Sequence, residues 1–262
     1  MIRGLYAAAS GLITNFRQQE VIANNIANLA TPGYKAEVTA EGAFSTVLVR
    51  SIGNAPVPLP MALQRVIGRL GTSSQIAVRT SYLEDGKLRP TDSTLDLALR
   101  GEGAFFAVQS PAGTIYTRNG QFARDRQGVL ISGTGMPVLG VDGNTIAIRG
   151  QGVHIEEIEI TASGKIFGGG RLLGQILVVT IDVKSLERAG PGSFVIWDGS
   201  QPSPAGDGVS IVQNALEESN IDVGRMAAML FRVSQHFEAN QRAFQTIDDN
   251  LAQAVREIGR VG

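Results

Sequence analysis

A single heptad register governs the C-terminal end of this chain. Val223, Leu230, Phe237, Phe244, Leu251 and Ile258 recur every seventh residue, with Met226, Val233, Asn240, Ile247 and Ala254 between them. Alternating steps of three and four residues place all of these on one stripe of an α-helix, the seam of a helix that lies along a coiled-coil partner. No proline interrupts the run, and Asn220 to Asp222 offer N-cap residues ahead of it. At ~1.5 Å per residue such a helix is on the order of 55 Å long. A compact domain does not cover that length alone, so the seam demands a partner.

The N-terminus carries a shorter version. Leu5, Leu12, Gln19 and Ile26 form one row, and Ala8, Asn15, Ile22 and Leu29 the other. Thr31-Pro32-Gly33 ends the helix, because proline disfavours helix in the residue before it and glycine turns the chain. Gly4 and Gly11 each cost roughly 1 kcal/mol relative to alanine, so this helix is marginal alone. The C-terminal seam is its expected partner. Asn15, Gln19 and Asn240 sit on the seams, either fixing register at some cost in stability or lying where the helices diverge. Arg3 followed by Gly4 to Ile13 imitates the start of a secretory signal, but Asn15 and Arg17 break the apolar run and the helical pattern continues.

Between the ends the period changes. Residues 34–70 read as an extended connector, stiffened where Pro56, Pro58 and Pro60 alternate. From 71 to 198 short apolar runs alternate with turn signals. Leu95, Leu97 and Leu99 alternate with Asp96, Ala98 and Arg100 as in a half-buried strand, and Phe105 to Val108 make the next. Ile176 to Ile181 reads as a strand buried on both faces, and Glu156, Glu157 and Glu159 as the wet face of another. The 32 glycines fit many tight turns. Residues 199–214, with Pro202 and Pro204, form a linker to the terminal helix at 215–262. The fold class expected is therefore α+β: an all-β central domain, sandwich or irregular barrel-like, inserted between N- and C-terminal helices (1–33 and 215–262) that form a coiled-coil module.

The chemistry of catalysis is missing from this pattern. Net charge is −1, from 23 basic and 24 acidic residues, which leaves no electrostatic footprint for nucleic acid or an anionic membrane. With no cysteine, disulfides and thiolate metal sites are excluded. No apolar run is long enough to span a bilayer. The two histidines, His154 and His236, fall in different modules. Gly101-Glu102-Gly103 lacks the third glycine of a dinucleotide loop, and Ser163-Gly164-Lys165-Ile166 lacks the spacing of a phosphate loop. Asp248-Asp249 reads as a solvated helix face. No catalytic, metal or cofactor residue is assigned, and no cofactor or small-molecule substrate is implied.

Four motifs in order carry a resemblance. They are Ser10-Gly11-Leu12 with Ala23-Asn24-Asn25-Ile26-Ala27-Asn28; the turn Thr31-Pro32-Gly33-Tyr34-Lys35; Leu95 to Phe106 with Tyr116-Thr117-Arg118-Asn119-Gly120; and Leu216-Glu217-Glu218-Ser219-Asn220-Ile221-Asp222. Together they resemble the flagellar rod and hook family of axial proteins across nearly the whole chain. The nearest likeness is to FlgF-type proximal rod proteins, with FlgG-type distal rod proteins second. Two positions depart from the family pattern: Ser234-Gln235-His236 before Phe237, where Gln-Arg is usual, and Ala104, where phenylalanine is often found.

The resemblance implies a structural subunit exported unfolded by the flagellar type III apparatus. It would polymerise with copies of itself and other axial proteins into a helical tube that transmits torque. It would lie in the basal body, in the periplasmic space where the host has two membranes. The assembly interface expected is the two seams: Leu5, Leu12, Gln19, Ile22, Ile26 and Leu29 with Val223, Met226, Leu230, Val233, Phe237, Asn240, Phe244, Ile247, Leu251 and Ile258. Asparagines are poor helix-interior residues, so the polar run Ala23 to Asn28 reads as an assembly motif rather than a plain helix end. Burial along the seams roughly offsets the entropy of ordering both ends, which makes their folding conditional on assembly. Two other classes compete: a secreted β-domain binding module oligomerised by a coiled-coil stalk, and a hydrolase with a carboxylate pair on the β domain.

Overall fold

The structure, a computed structural model, describes residues 2–43, 46–50, 66–71, 74–81, 83–148, 155–206 and 208–259. The alternating prolines 56, 58 and 60 and His154 lie outside the described residues. Helix α1 runs Ile2–Ala27 and helix α2 runs Val223–Ile258. Everything described between them is strand, turn or short 3-10 helix. The protein is α+β, with helices at the two ends and a mostly-β middle.

The chain divides into two units. One holds residues 1–24, 37–80 and 223–262; the other holds 25–36 and 81–222. In the first unit, Glu37–Ala43 pairs with Ser74–Ser81, and Thr46–Arg50 pairs with Val66–Gly71. Within the stretch expected as a connector, the described residues thus include strands, of which Thr46–Arg50 and Val66–Gly71 form an antiparallel pair.

The second unit is built around a six-stranded sheet. Its order is Leu186–Gly190, Ser193–Ile196, Gly113–Thr117, Ala104–Ser110, Val178–Thr180, Ser203–Pro204. The strand Ala104–Ser110 explains the layering. Its side chains alternate between faces. Ala104, Phe106 and Val108 enter one apolar cluster with Leu97, Leu130 and Ile166. Phe105 and Ala107 enter a second cluster with Phe194 and Val179. Apolar material covers both faces, and T-shaped ring pairs, Phe106 on Phe122 and Phe105 on Phe194, knit each side.

Local details differ from the sequence expectations for physical reasons. Asp96 and Ala98 are buried along with Leu95, Leu97 and Leu99, because Ser210–Gln213 pairs with Leu97–Arg100. In Val178–Thr180 only Val179 is buried, since the outer neighbour is the two-residue strand Ser203–Pro204. Ile155–Glu157 is a 3-10 turn; in the strand after it, Ile158 and Ile160 are buried and Glu159 is exposed. Residues 215–222 do not extend the helix. Ala215–Glu217 pairs with Leu88–Pro90, and α2 begins only at Val223.

Candidate assembly site

In the first unit the two helices touch. A Cβ on Gly4 would lie 3.2 Å from Ile247 Cδ1, and one on Gly11 would lie 2.7 Å from Asn240 Nδ2. Gln19 Nε2 donates to Ser234 Oγ at 3.4 Å. Residue numbers rise along α1 as they fall along α2, so the helices are antiparallel. The glycines that weaken α1 as an isolated helix are points where α2 approaches closely.

Burial along α2 follows the heptad. Met226 and Val233 are buried, and Leu230, Phe237, Asn240, Phe244, Ile247, Leu251 and Ala254 are half-buried; Val223, at the helix start, is exposed. The Ile258 side chain lies outside the described residues. In α1 the buried positions are Ala8, Thr14, Asn15, Gln18, Val21, Ile22 and Asn25. Leu5, Leu12 and Gln19 are half-buried on the flank of that stripe, and Ile26 and Leu29 are exposed. Small and polar residues, more than leucines, mark the inner face of α1.

The opposite face of α1 is apolar and open. Tyr6 is 69% exposed, Ile13 57% and Phe16 52%. At ~100° per residue these three point about 120–180° away from Gly4, Gly11 and Gln18. Their spacing of seven and three is again that of a seam.

The second unit holds an ionic cluster that the sequence reading did not find. The Lys35 ammonium donates to Glu217 Oε1 at 2.5 Å and to the Glu84 carbonyl at 2.6 Å. The Gly86 amide donates to the same Glu217 oxygen at 2.7 Å. Arg118 Nη2 donates to Asp85 Oδ1 at 2.6 Å and to the Gly101 carbonyl at 2.8 Å, and Nη1 lies 3.6 Å from Glu217 Oε2. The Lys35, Arg118 and Glu217 side chains are at most 1% exposed, while Asp85 reaches solvent. Burial pulls the Lys35 ammonium below the usual lysine value, and the Glu217 carboxylate opposes that shift.

The motif turn seats on this cluster. Gly33 adopts φ +65°, and a Cβ there would fall 2.4 Å from the Arg118 carbonyl carbon and oxygen. Its amide donates to the Glu217 carbonyl at 2.7 Å. The Tyr34 hydroxyl donates to Asn25 Oδ1, and the Tyr34 ring lies under the Arg188 guanidinium, 4.7 Å from its centroid. Of the other motif residues, Asn25 is buried, Ala23, Asn24 and Ala27 are exposed, and Asn28 and Thr31 join through a side-chain hydrogen bond. Pro32 lines a groove of about 480 Å³ with Leu29, Leu216 and Ile221. Lys35, Arg118 and Glu217 each belong to a different motif quoted above. The same motifs carry other charges, Glu218 and Asp222 among them, so the sequence offered no signal that singled these three out.

Among the described residues no group of histidine, aspartate and glutamate is arranged to hold a metal ion, and no helix is long and apolar enough to cross a membrane. Helices at both ends, a layered β middle and motif turns packed on a buried ionic cluster define a structural class of protein. Comparison with known proteins agrees. The flagella basal body rod protein pattern matches residues 5–35, the flagellar hook protein FlgE/F/G D1 domain 98–168, and the flagellar basal body rod FlgEFG C-terminal pattern 212–257. The flagellar hook-basal body complex protein FlhO of Bacillus subtilis is 30% identical, with all of both chains covered. FlgG of Borreliella burgdorferi is 30% identical over 96% of this chain and 97% of its own. FlgF of Caulobacter vibrioides is 26% identical over the whole of both. The chain belongs to the flagellar basal-body rod proteins of the FlgF/FlgG type, a family of structural subunits of the flagellum and not of enzymes.

Proposed function

We propose that this rod subunit polymerises through its terminal helices, with copies of itself and other axial proteins, into a helical tube that transmits torque. It reaches the basal body as an unfolded substrate of the flagellar export apparatus. In this reading α1 and α2 form an antiparallel coiled-coil hairpin with Gly4, Ala8, Gly11, Asn15, Gln18 and Ile22 on its inner face. The β unit is an irregular sandwich whose central sheet is covered on both faces. The assembly residues are then the α2 seam with Leu5, Leu12, Gln19, Ile22, Ile26 and Leu29 on α1, which build the hairpin, and Tyr6, Ile13 and Phe16, which meet the next subunit.

The observation that carries this reading is the second face of α1. A helix already packed on one side has no intramolecular reason to present Tyr6, Ile13 and Phe16 to water at coiled-coil spacing. Burying the exposed half of Ile13 and Phe16 is worth about 1–1.5 kcal/mol each. The double variant Ile13→Ser with Phe16→Ser therefore raises the concentration needed for polymerisation roughly a hundredfold. Sedimentation measures this, with far-UV circular dichroism showing that the monomer keeps its helix content. Unchanged polymerisation of a folded double variant refutes the reading. Discrete small oligomers of fixed size would favour the stalked binding module instead.

A further inference from the structure

The chain leaves the β unit at four points: between residues 24 and 25, 36 and 37, 80 and 81, and 222 and 223. Inside that unit, three of the four exits are tied directly to the same few side chains, and the first is tied to them through Tyr34. Next to the first, Asn25 accepts from Tyr34, the neighbour of Lys35. At the second, Lys35 bonds Glu217, and the Ala36 amide donates to Asn220 Oδ1 at 2.8 Å. After the third, Glu84, Asp85 and Gly86 bond Lys35, Arg118 and Glu217 respectively. Before the fourth stand Glu217 and Asn220, whose Nδ2 donates to the Glu84 carbonyl at 3.1 Å. Arg188 adds a clasp from the sheet, donating to the Lys35 carbonyl at 2.5 Å while its guanidinium lies over Tyr34 and Phe194.

Nothing in ordinary domain stability asks for this. Buried ion pairs are weak sources of net stability, because desolvation consumes most of the Coulombic gain. An apolar plug would hold the sheet together as well. What a buried ionic cluster does well is fix geometry, since each charge is satisfied in only one arrangement of its partners. We propose that Lys35, Arg118 and Glu217 are positioning residues. They form one ionic anchor that clamps all four chain exits to the β unit, so that force arriving along any one exit is shared by the other three. The anchor itself stands on geometry alone; its use in carrying force rests on the rod reading.

Two variants test it in the full-length chain. Glu217→Gln leaves the buried Lys35 ammonium without its paired carboxylate, while Arg118 keeps Asp85. Lys35→Met is milder, leaving Glu217 with Arg118 and the Gly86 amide, and keeps the test alive if Glu217→Gln does not fold. The control is Leu130→Ala, which opens a cavity in the apolar cluster that also holds Phe106 and Ile166. Hydrogen exchange is followed by mass spectrometry. The expected result is at least a tenfold rise in exchange over 25–36, 83–90 and 215–222 in Lys35→Met, with 104–117 within twofold of wild type. Leu130→Ala shows the reverse pattern. An even rise across the β unit in Lys35→Met, or no rise at the exits, overturns the anchor. Swimming of a deletion strain complemented with each chain then judges the force path. Wild type restores it and Lys35→Met reduces it severalfold at equal rod assembly. Full swimming by Lys35→Met, with its exits loosened, overturns force sharing but not the anchor. Failure of wild type itself counts against the rod reading alone.

Discussion

Gly33→Ala separates two costs that are usually confounded. Gly33 and Gly135 both hold left-handed backbone, at φ +65° and +81°. A methyl group on Gly135 meets nothing within 4 Å, whereas on Gly33 it falls 2.4 Å from backbone atoms of Arg118. Gly135→Ala therefore pays only the left-handed penalty, about 1–2 kcal/mol. Gly33→Ala pays the same and must also displace backbone by about 1 Å. That adds about 1–3 kcal/mol of overpacking strain. It also puts at risk the hydrogen bond from its amide to Glu217, about 1 kcal/mol more. The obstacle is a main-chain carbonyl, so no side-chain rotamer can relieve it. The expected difference between the two variants is about 2–4 kcal/mol. With a urea m-value of about 1–3 kcal/mol/M, this moves the unfolding midpoint by about 1–2 M. The single tryptophan, Trp197, lies in the same unit and reports the transition by fluorescence, alongside far-UV circular dichroism. If Gly33→Ala is no less stable than Gly135→Ala, the turn does not seat on Arg118, and the account of the motif fails.

Three further outcomes are expected. Because the chain lacks cysteine, Gly11→Cys with Asn240→Cys forms an intramolecular disulfide on mild oxidation, seen as a mobility shift on a non-reducing gel, while Gly4→Cys with Asn240→Cys does not. Leu130→Ala, emptying a fully buried site, costs about 2–5 kcal/mol in urea unfolding. The Asp198 carboxylate accepts from the Ser200 amide and the Ser185 hydroxyl, which together hold its pKa below the usual aspartate value. A depressed carboxyl contributes stability above its unfolded pKa and loses it as pH falls through the lower, folded value. Titration by NMR shows this, and Ser185→Ala brings the carboxyl part of the way back.

The α2 seam was legible because its periodicity is made by large apolar residues, and burial is what such residues report. In α1 the inner face is lined by Gly4, Ala8, Gly11, Asn15 and Gln18, which carry little hydrophobic signal. The leucine row at 5 and 12 drew attention to the flank, and Tyr6, Ile13 and Phe16 went unassigned. A glycine in a helix looks like a weakness until the facing helix is known; here it sets the distance of approach. The turn at Thr31-Pro32-Gly33 was legible as a turn, but not as a wedge against Arg118, since the clash involves main-chain atoms far away in sequence.

The ionic cluster shows why the rest stayed hidden. Its members are separated by 182 residues in the case of Lys35 and Glu217, and a sequence displays charges without their partners. Each member sits inside a motif whose other residues have evident local roles: Pro32 and Gly33 turn the chain, Gly120 packs against the Leu97 carbonyl, and Asn220 spans Ala36 and Glu84. Other charges accompany them, Glu218 and Asp222 beside Glu217 and Asp96, Arg100 and Glu102 ahead of Arg118, so charge alone singles out none of the three. Lysine, arginine and glutamate are almost never fully buried unless paired. Lys35, Arg118 and Glu217 are the charges of these motifs that are only 1% exposed, and they lie against one another. Three of the four motifs thus contribute to one site divided among distant parts of the chain, and a change at any one of Lys35, Arg118 or Glu217 should be felt at the other two. The double variant Lys35→Met with Glu217→Leu tests that coupling. Removing both partners at once should cost at least ~1 kcal/mol less than the sum of the single losses. Additive losses would mean that the three charges act independently.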